Sequence, residues 1–229
     1  MPKLAKRRQA NLAILEKYSD PQPIDQAVKA LREFKAPKFD QTVEVVVHTG
    51  IDPRQADQQL RGSIAMPRGV GKTARVVCFC PDDKVGEVKE AGAIEAGSEE
   101  LVKKIEDGWM EFDVAVASPD MMRVVSKLGR VLGPKGLMPS PKAGTVTPDV
   151  VNAVREYAAG KLEYRNDGDG DVHCVIGKMS FDDDALIENF QHFVSIIERI
   201  RPSATKGTYI KRCTITGTMT PGIDVLLDA

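Results

Sequence analysis

Two sets of residues in this 229-residue chain have the types and spacing to do chemistry. The first is the stretch from Arg123 to Thr145. It holds Arg123, Lys127, Arg130, Lys135 and Lys142 and no Asp or Glu. Apolar spacing at Val124, Val125 and Leu128 predicts a helix that ends at Gly129 and opens into a loop of Gly, Pro and Lys. Leu132, Leu137 and Met138 would pin that loop to a core. Gly136 can take positive φ, while Pro134, Pro139 and Pro141 stiffen the backbone. A stiff, anchored, acid-free loop suits holding cations against an anion, although its composition fits a solvated turn equally well. The second set is dispersed: Lys38, Thr42 and Glu44 around one predicted strand, Lys178 and Ser180 after another, and Thr214, Thr216 and Thr218 on a third. Gathered in one sheet, they would form a patch of amines, hydroxyls and one carboxylate. That chemistry matches the sugar hydroxyls and phosphates of a folded RNA. A solvent-facing half of a sheet is the plainer reading of the same alternation.

Other chemistries lack their marks. Gly69-Val70-Gly71-Lys72-Thr73 looks like a phosphate loop, but the pattern needs Gly where Met66 stands. It also leads into a helix, whereas residues 75–80 read as a strand. No Gly-x-Gly-x-x-Gly follows a strand, so a nucleotide-dependent enzyme, the main alternative, has little support. Asp167, Asp169 and Asp171 lack the later Glu and the flanking helices of a calcium loop. Cys78, Cys80, Cys174 and Cys213 form no Cys-x-x-Cys pair, and His48, His173 and His192 stand apart. Reduced structural thiols are expected, not zinc or disulfides. No catalytic residue, metal or cofactor is expected.

The elements that must position these groups follow from periodicity. Residues 1–36 read as helical, with Lys3, Lys6, Arg7 and Arg8 at the start and Leu4, Leu12 and Leu15 near one face. Pro21 and Pro23 break that segment before a second amphipathic helix through Ile24, Ala27, Val28 and Leu31, with Asp25 near its N-terminus. In residues 38–49, Phe39, Val43, Val45 and Val47 fall on one face and Thr42, Glu44 and Val46 on the other. Residues 73–158 alternate strand and helix, the rhythm of a parallel α/β sheet. Beyond Gly160 come two strands joined by a turn (162–165 and 172–176) and a helix over 182–200, capped by Asp182, Asp183 and Asp184. A final strand spans 209–219. The fold class is therefore α/β in two domains. A discontinuous α+β RNA-binding domain (1–68 plus 160–229) is interrupted by an inserted Rossmann-like parallel α/β domain (69–159). Crossings at Pro67, Gly69 and Gly160 have the look of a hinge.

Acids and bases nearly cancel, with a net charge of -1, so any nucleic-acid surface is a local patch. At 5% aromatic content, broad base-stacking platforms are not expected. No apolar run reaches membrane-spanning length, and no signal peptide is expected.

The stretches KFDQTVEV (38–45), GIDPRQADQQLRGS (50–63), MPRGVGK (66–72), DGWMEFDVAVASPDMM (107–122), KLGRVLGPKGLMPSPKAGTV (127–146), EYRND (163–167), HCVIGKMSF (173–181) and TGTMTPG (216–222) closely resemble the bacterial large-subunit ribosomal protein L-one family, the protein of the mobile ribosomal stalk. The resemblance spans nearly the whole chain. It implies a cytoplasmic, non-catalytic protein, monomeric when free and with no membrane partner. Such a protein would bind large-subunit rRNA in the ribosome, help deacylated tRNA leave the exit site, and repress translation by binding its own operon mRNA. Carried over by position, the RNA face would comprise Lys38, Phe39, Thr42, Glu44, Lys178, Ser180, Thr216, Thr218, Met219 and Thr220. Lys135 and Lys142 would serve a second, tRNA-directed or stalk-positioning surface. One departure matters: Thr220 stands where the family usually has Gly. Its side chain either obstructs RNA approaching the backbone or points aside. Ser140 is a smaller change, standing where Asn is frequent.

Overall fold

The computed structural model describes residues 5–227. Lys3 and Leu4 of the predicted first helix lie outside that range. The strands are β1 (Thr42–Thr49), β2 (Arg61–Ala65), β3 (Val76–Phe79), β4 (Glu95–Gly97), β5 (Val114–Ala117), β6 (Lys161–Arg165), β7 (Asp171–Lys178), β8 (Ile210–Gly217) and β9 (Ile223–Val225). The α-helices are α1 (Lys6–Leu15), α2 (Ile24–Glu33), α3 (Val85–Glu90), α4 (Glu99–Glu106), α5 (Met122–Val125), α6 (Gly129–Leu132), α7 (Val150–Ala158) and α8 (Asp183–Arg199). Contacts group the chain into two compact units. The first takes the residues up to Leu60, Met66–Gly71, and those from Tyr164 onward; the second takes Arg61–Ala65 and Lys72–Glu163.

The first unit is built on an antiparallel sheet in the order β7-β1-β8-β9. Strict alternation in β1 buries Val43, Val45 and Val47 completely and leaves Thr42, Glu44, Val46 and His48 half-exposed. The apolar face packs on α2 and α8. Ala27, Val28, Ala30 and Leu31 are buried on α2, and Leu186, Phe190, Phe193 and Ile197 on α8. Both helices carry their apolar residues at i, i+3, i+4 spacing, so each offers one stripe to the sheet.

Several expectations need correction. The last strand is not terminal, because a turn after Gly217 leads to the short edge strand β9. The two strands beyond Gly160 belong to different sheets: β6 pairs with β2 and β7 with β1. Phe39 is not on the core face. Bends at Lys38 and Phe39 break the alternation before β1 begins, and Phe39 is 52% exposed. Leu12 is exposed and Leu15 only half-buried. α1 instead buries Asn11, whose side chain holds Lys35 through its amide (2.8 Å) and its carbonyl (3.4 Å). Asp182 makes no side-chain cap bond, and Asp183 accepts from Arg32.

The second unit holds the parallel sheet β4-β3-β5. Its strands are buried on both faces. Val76, Cys78, Cys80 and Val116 pack with Val88 of α3 and with Val150, Val154 and Tyr157 of α7. Val77, Phe79, Ala115 and Ala117 pack with Leu101 and Ile105 of α4, Val125 of α5, Leu128 and Leu132. Helices on both faces are the usual consequence of parallel connections. The predicted helix end at Gly129 moves to Leu132, because α6 continues over that glycine to bury Leu132.

The positions given to a hinge are locally tied. Asn189 on α8 accepts from the Arg68 amide (3.0 Å) and donates to the Gly69 carbonyl (2.9 Å), which anchors Pro67–Gly69 to the first unit. By contacts, that boundary falls after Gly71. Gly160 terminates α7 at φ 107, and the later boundary follows Glu163.

Candidate nucleic-acid interface

With α2 and α8 on one face of the first unit's sheet, the polar residues of β1, β7 and β8 share the other. Thr42 lies opposite Lys178, and Glu44 lies between Val175 and Thr216. Lys178 Nζ donates to Thr42 Oγ1 at 2.7 Å. The Thr218 amide donates to the Thr42 carbonyl (2.9 Å), and its hydroxyl lies 3.2 Å from both the amide and the carbonyl of Thr42. Three residues far apart in sequence are thus locked into one cluster at one end of the sheet. Lys38, Phe39, Ser180, Thr218 and Met219 are exposed around it, with Thr216 and Thr220 half-buried. Met219 is 65% exposed, so two large apolar side chains, Phe39 and Met219, project beside fixed polar groups.

The local backbone is held on several sides. The Ser180 amide and hydroxyl both donate to Asp40, at 3.2 and 2.8 Å. Arg32 spends its whole guanidinium on the β7–α8 link. It donates to the Met179 carbonyl (2.9 Å), the Phe181 carbonyl (2.6 Å) and Asp183 Oδ1 (2.6 Å). Gly71 approaches the same link at φ 70. A Cβ there would sit 2.9 Å from Lys178 Cγ and 2.9 Å from Phe181 Cε1. Gln41 is buried, its carbonyl accepts from the Met179 amide (2.8 Å), and its side-chain oxygen has no partner among the described residues. Arg32, Asp40, Gln41 and Gly71 hold the backbone around this candidate surface and had no signal in the sequence. Each acts through residues distant in the chain.

The two ends of the open face differ electrostatically. At the far end, His48 Nδ1 lies 2.5 Å from Asp171 Oδ1, and Arg212 and Thr214 both donate to Asp224, at 2.8 and 2.7 Å. Asp167 accepts from the amides of Asp169 and Asp171, which holds its carboxyl below the usual carboxylate range. Charges there are largely satisfied internally. At the Lys178 end the hydroxyls are also bonded internally, but the Lys178 ammonium has no acidic partner among the described residues and Phe39 and Met219 stand exposed beside it, which makes this end the candidate place for a ligand.

In the second unit, Arg123, Lys127, Arg130, Lys135 and Lys142 are all exposed, and none has an acidic side chain within ion-pair distance among the described residues. Their loop is stitched down as expected. Leu137 and Met138 pack on the buried cluster, Tyr157 Oη donates to the Ala143 carbonyl (2.6 Å), and Thr145 Oγ1 accepts from the Ser140 amide (2.8 Å). The cysteines are free and buried. Burial pushes the Cys174 and Cys213 thiols up to about 12, so neither offers a thiolate near neutral pH.

Held hydroxyls and an amine, flanked by exposed apolar side chains on one face of a sheet in an α/β protein, are groups that an RNA could engage. The family model described as the ribosomal protein L1p/L10e family matches residues 31–221, and the chain belongs to that family. It is accordingly a structural ribosomal protein of the large subunit that binds rRNA, from a family of structural proteins and not of enzymes. No helix among the described residues is long and apolar enough to cross a membrane.

Proposed function

We propose that the Lys178 end of the first unit's sheet grips a junction in large-subunit rRNA. The observation that carries this is the Lys178–Thr42–Thr218 cluster with Phe39 and Met219 exposed beside it. Lys38 and Lys178 meet phosphates. Glu44, Ser180, Thr216 and Thr218 meet sugar hydroxyls and base edges, and Phe39 and Met219 pack on bases or riboses. Thr220 supports the contacting turn. The same surface binds a junction of matching shape in the protein's own operon mRNA and represses its translation when the protein is free, cytoplasmic and monomeric. The unpaired cations of the second unit, Lys135 and Lys142 among them, serve exit-site tRNA as it leaves. The units act as two domains, and the chain passages just beyond the positions expected from the sequence (Pro67, Gly69 and Gly160), after Gly71 and after Glu163, give the stalk its hinge.

A salt titration tests the rRNA assignment. With Lys38 and Lys178 as the lysines placed on phosphates and room for one to three further ion contacts at the rim, log Kd against log salt has a shallow slope set by roughly three to five ion contacts, at about 0.7–0.9 per contact. A slope corresponding to about ten contacts would place the RNA on another, more basic surface.

A further inference from the structure

We infer that Thr220 is a positioning residue whose hydroxyl holds the turn that presents Met219 to RNA. The inference rests on the rRNA assignment above. The turn Gly217-Thr218-Met219-Thr220 is closed by the Thr220 amide donating to the Gly217 carbonyl at 2.9 Å. Its third residue, Met219, sits at φ 71, the only non-glycine at positive φ among the described residues. Turns of this shape normally place Gly or Asn there, since a Cβ is disfavoured in the left-handed region. A methionine persists in such a conformation only where its surroundings over-determine it.

Those surroundings are visible. Thr220 Oγ1 accepts from the Gly217 amide at 2.9 Å and lies 2.9 Å from the Gly217 carbonyl, to which it donates. Thr216 Oγ1 donates to the Thr220 carbonyl at 3.2 Å. Thr218 ties the turn to β1 through the Thr42 carbonyl. Pro221 follows and restricts the backbone of Thr220 toward extended conformations. The Thr220 side chain therefore folds inward onto Gly217 and does not obstruct the outer surface. What the lock leaves outside is Met219, 65% exposed, with its backbone and the direction of its Cα–Cβ bond set by the turn. Preorganising an apolar contact in this way raises affinity by removing an ordering cost at binding.

The test uses the full chain, a large-subunit rRNA fragment, and the variants Thr220→Ser, Thr220→Val, Met219→Ala and the double variant Met219→Ala/Thr220→Val. Thr220→Ser keeps the hydroxyl and binds within about two-fold of the wild type. Thr220→Val keeps the shape, loses both hydroxyl bonds and weakens binding by about three- to ten-fold. In the Met219→Ala background the same Thr220→Val change costs less than about two-fold, because the group it positions is gone. An undiminished penalty in that background overturns the inference, as does Thr220→Val binding like the wild type. Hydrogen exchange at the Gly217 amide, without RNA, gives an independent readout. It is protected in the wild type and Thr220→Ser and fast in Thr220→Val; equal protection in all three also overturns the lock. A wild type that shows this exchange pattern yet binds no rRNA fragment would sink the RNA assignment while leaving the lock intact. If Thr220→Val does not fold, Thr220→Ala removes the same hydroxyl and is read in the same way.

Discussion

At the scale of single residues, the proposed interface would depend on backbone positions that tolerate only particular side chains. Gly71 combines positive φ with close approach to the stem of Lys178 and the ring of Phe181. Gly71→Ala therefore costs roughly 1–2 kcal/mol in backbone strain alone, and its methyl displaces Lys178 from Thr42. Two measurements check this: a lower Tm, and rRNA affinity reduced by more than in Gly69→Ala. Gly69 also has positive φ, but a Cβ there meets nothing within 4 Å. None of this could be read from the sequence. Gly69-Val70-Gly71-Lys72 resembled a failed phosphate loop, and nothing local says that a lysine more than a hundred residues later lies against it. Phe39 leaves the alternation for a related reason: bends at Lys38 and Phe39 precede β1, and only the path of the chain shows that the strand begins at Thr42.

At the scale of elements, the alternation in β1 and the stripes on α2 and α8 were legible because burial on one face imposes a period. Short elements were not: β9 has three residues, too few to show a period, and α6 runs through a glycine that sequence alone takes as a stop. Thr42, Lys178 and Thr218 could be grouped from the sequence because each lies at a strand end with a recognisable pattern. Arg32 could not, as its three acceptors lie 147 to 151 residues away. Removing that clamp loosens the link carrying Lys178 and Ser180. Arg32→Met is expected to raise hydrogen exchange at the Met179 and Phe181 amides and weaken rRNA binding several-fold, with Arg32→Lys intermediate because an ammonium cannot serve three divergent acceptors equally. Unchanged exchange in Arg32→Met would mean that Asp40 and Gly71 hold the link unaided. In the second unit, Asp113 accepts from the side chain and amide of Arg75, at 3.1 Å each, and this holds its carboxyl down at about 2. Its folded pKa lies below the ordinary value of 3.8. The stability it contributes is therefore present above that value and is lost as pH falls through about 2. Asp113→Asn should lower Tm at pH 7 and show a smaller further drop between pH 4 and pH 2.5 than the wild type. An identical acid profile would remove the pair from the stability account.

At the scale of the whole molecule, on the proposed assignment, a near-neutral chain binds a polyanion through an amine, hydroxyls and apolar groups gathered at one end of one sheet. Arg123, Lys127, Arg130, Lys135 and Lys142, with no acidic partner among the described residues, lie on the other unit. Met219→Ala and Lys142→Ala, titrated with the wild type against one large-subunit rRNA fragment at one salt concentration, separate the two surfaces most directly. Met219→Ala loses apolar contact worth roughly 1–2 kcal/mol, about a five- to thirty-fold rise in Kd, and Lys142→Ala stays within about two-fold of the wild type. If Lys142→Ala weakens binding more than Met219→Ala does, the rRNA lies on the second unit and the central claim is contradicted.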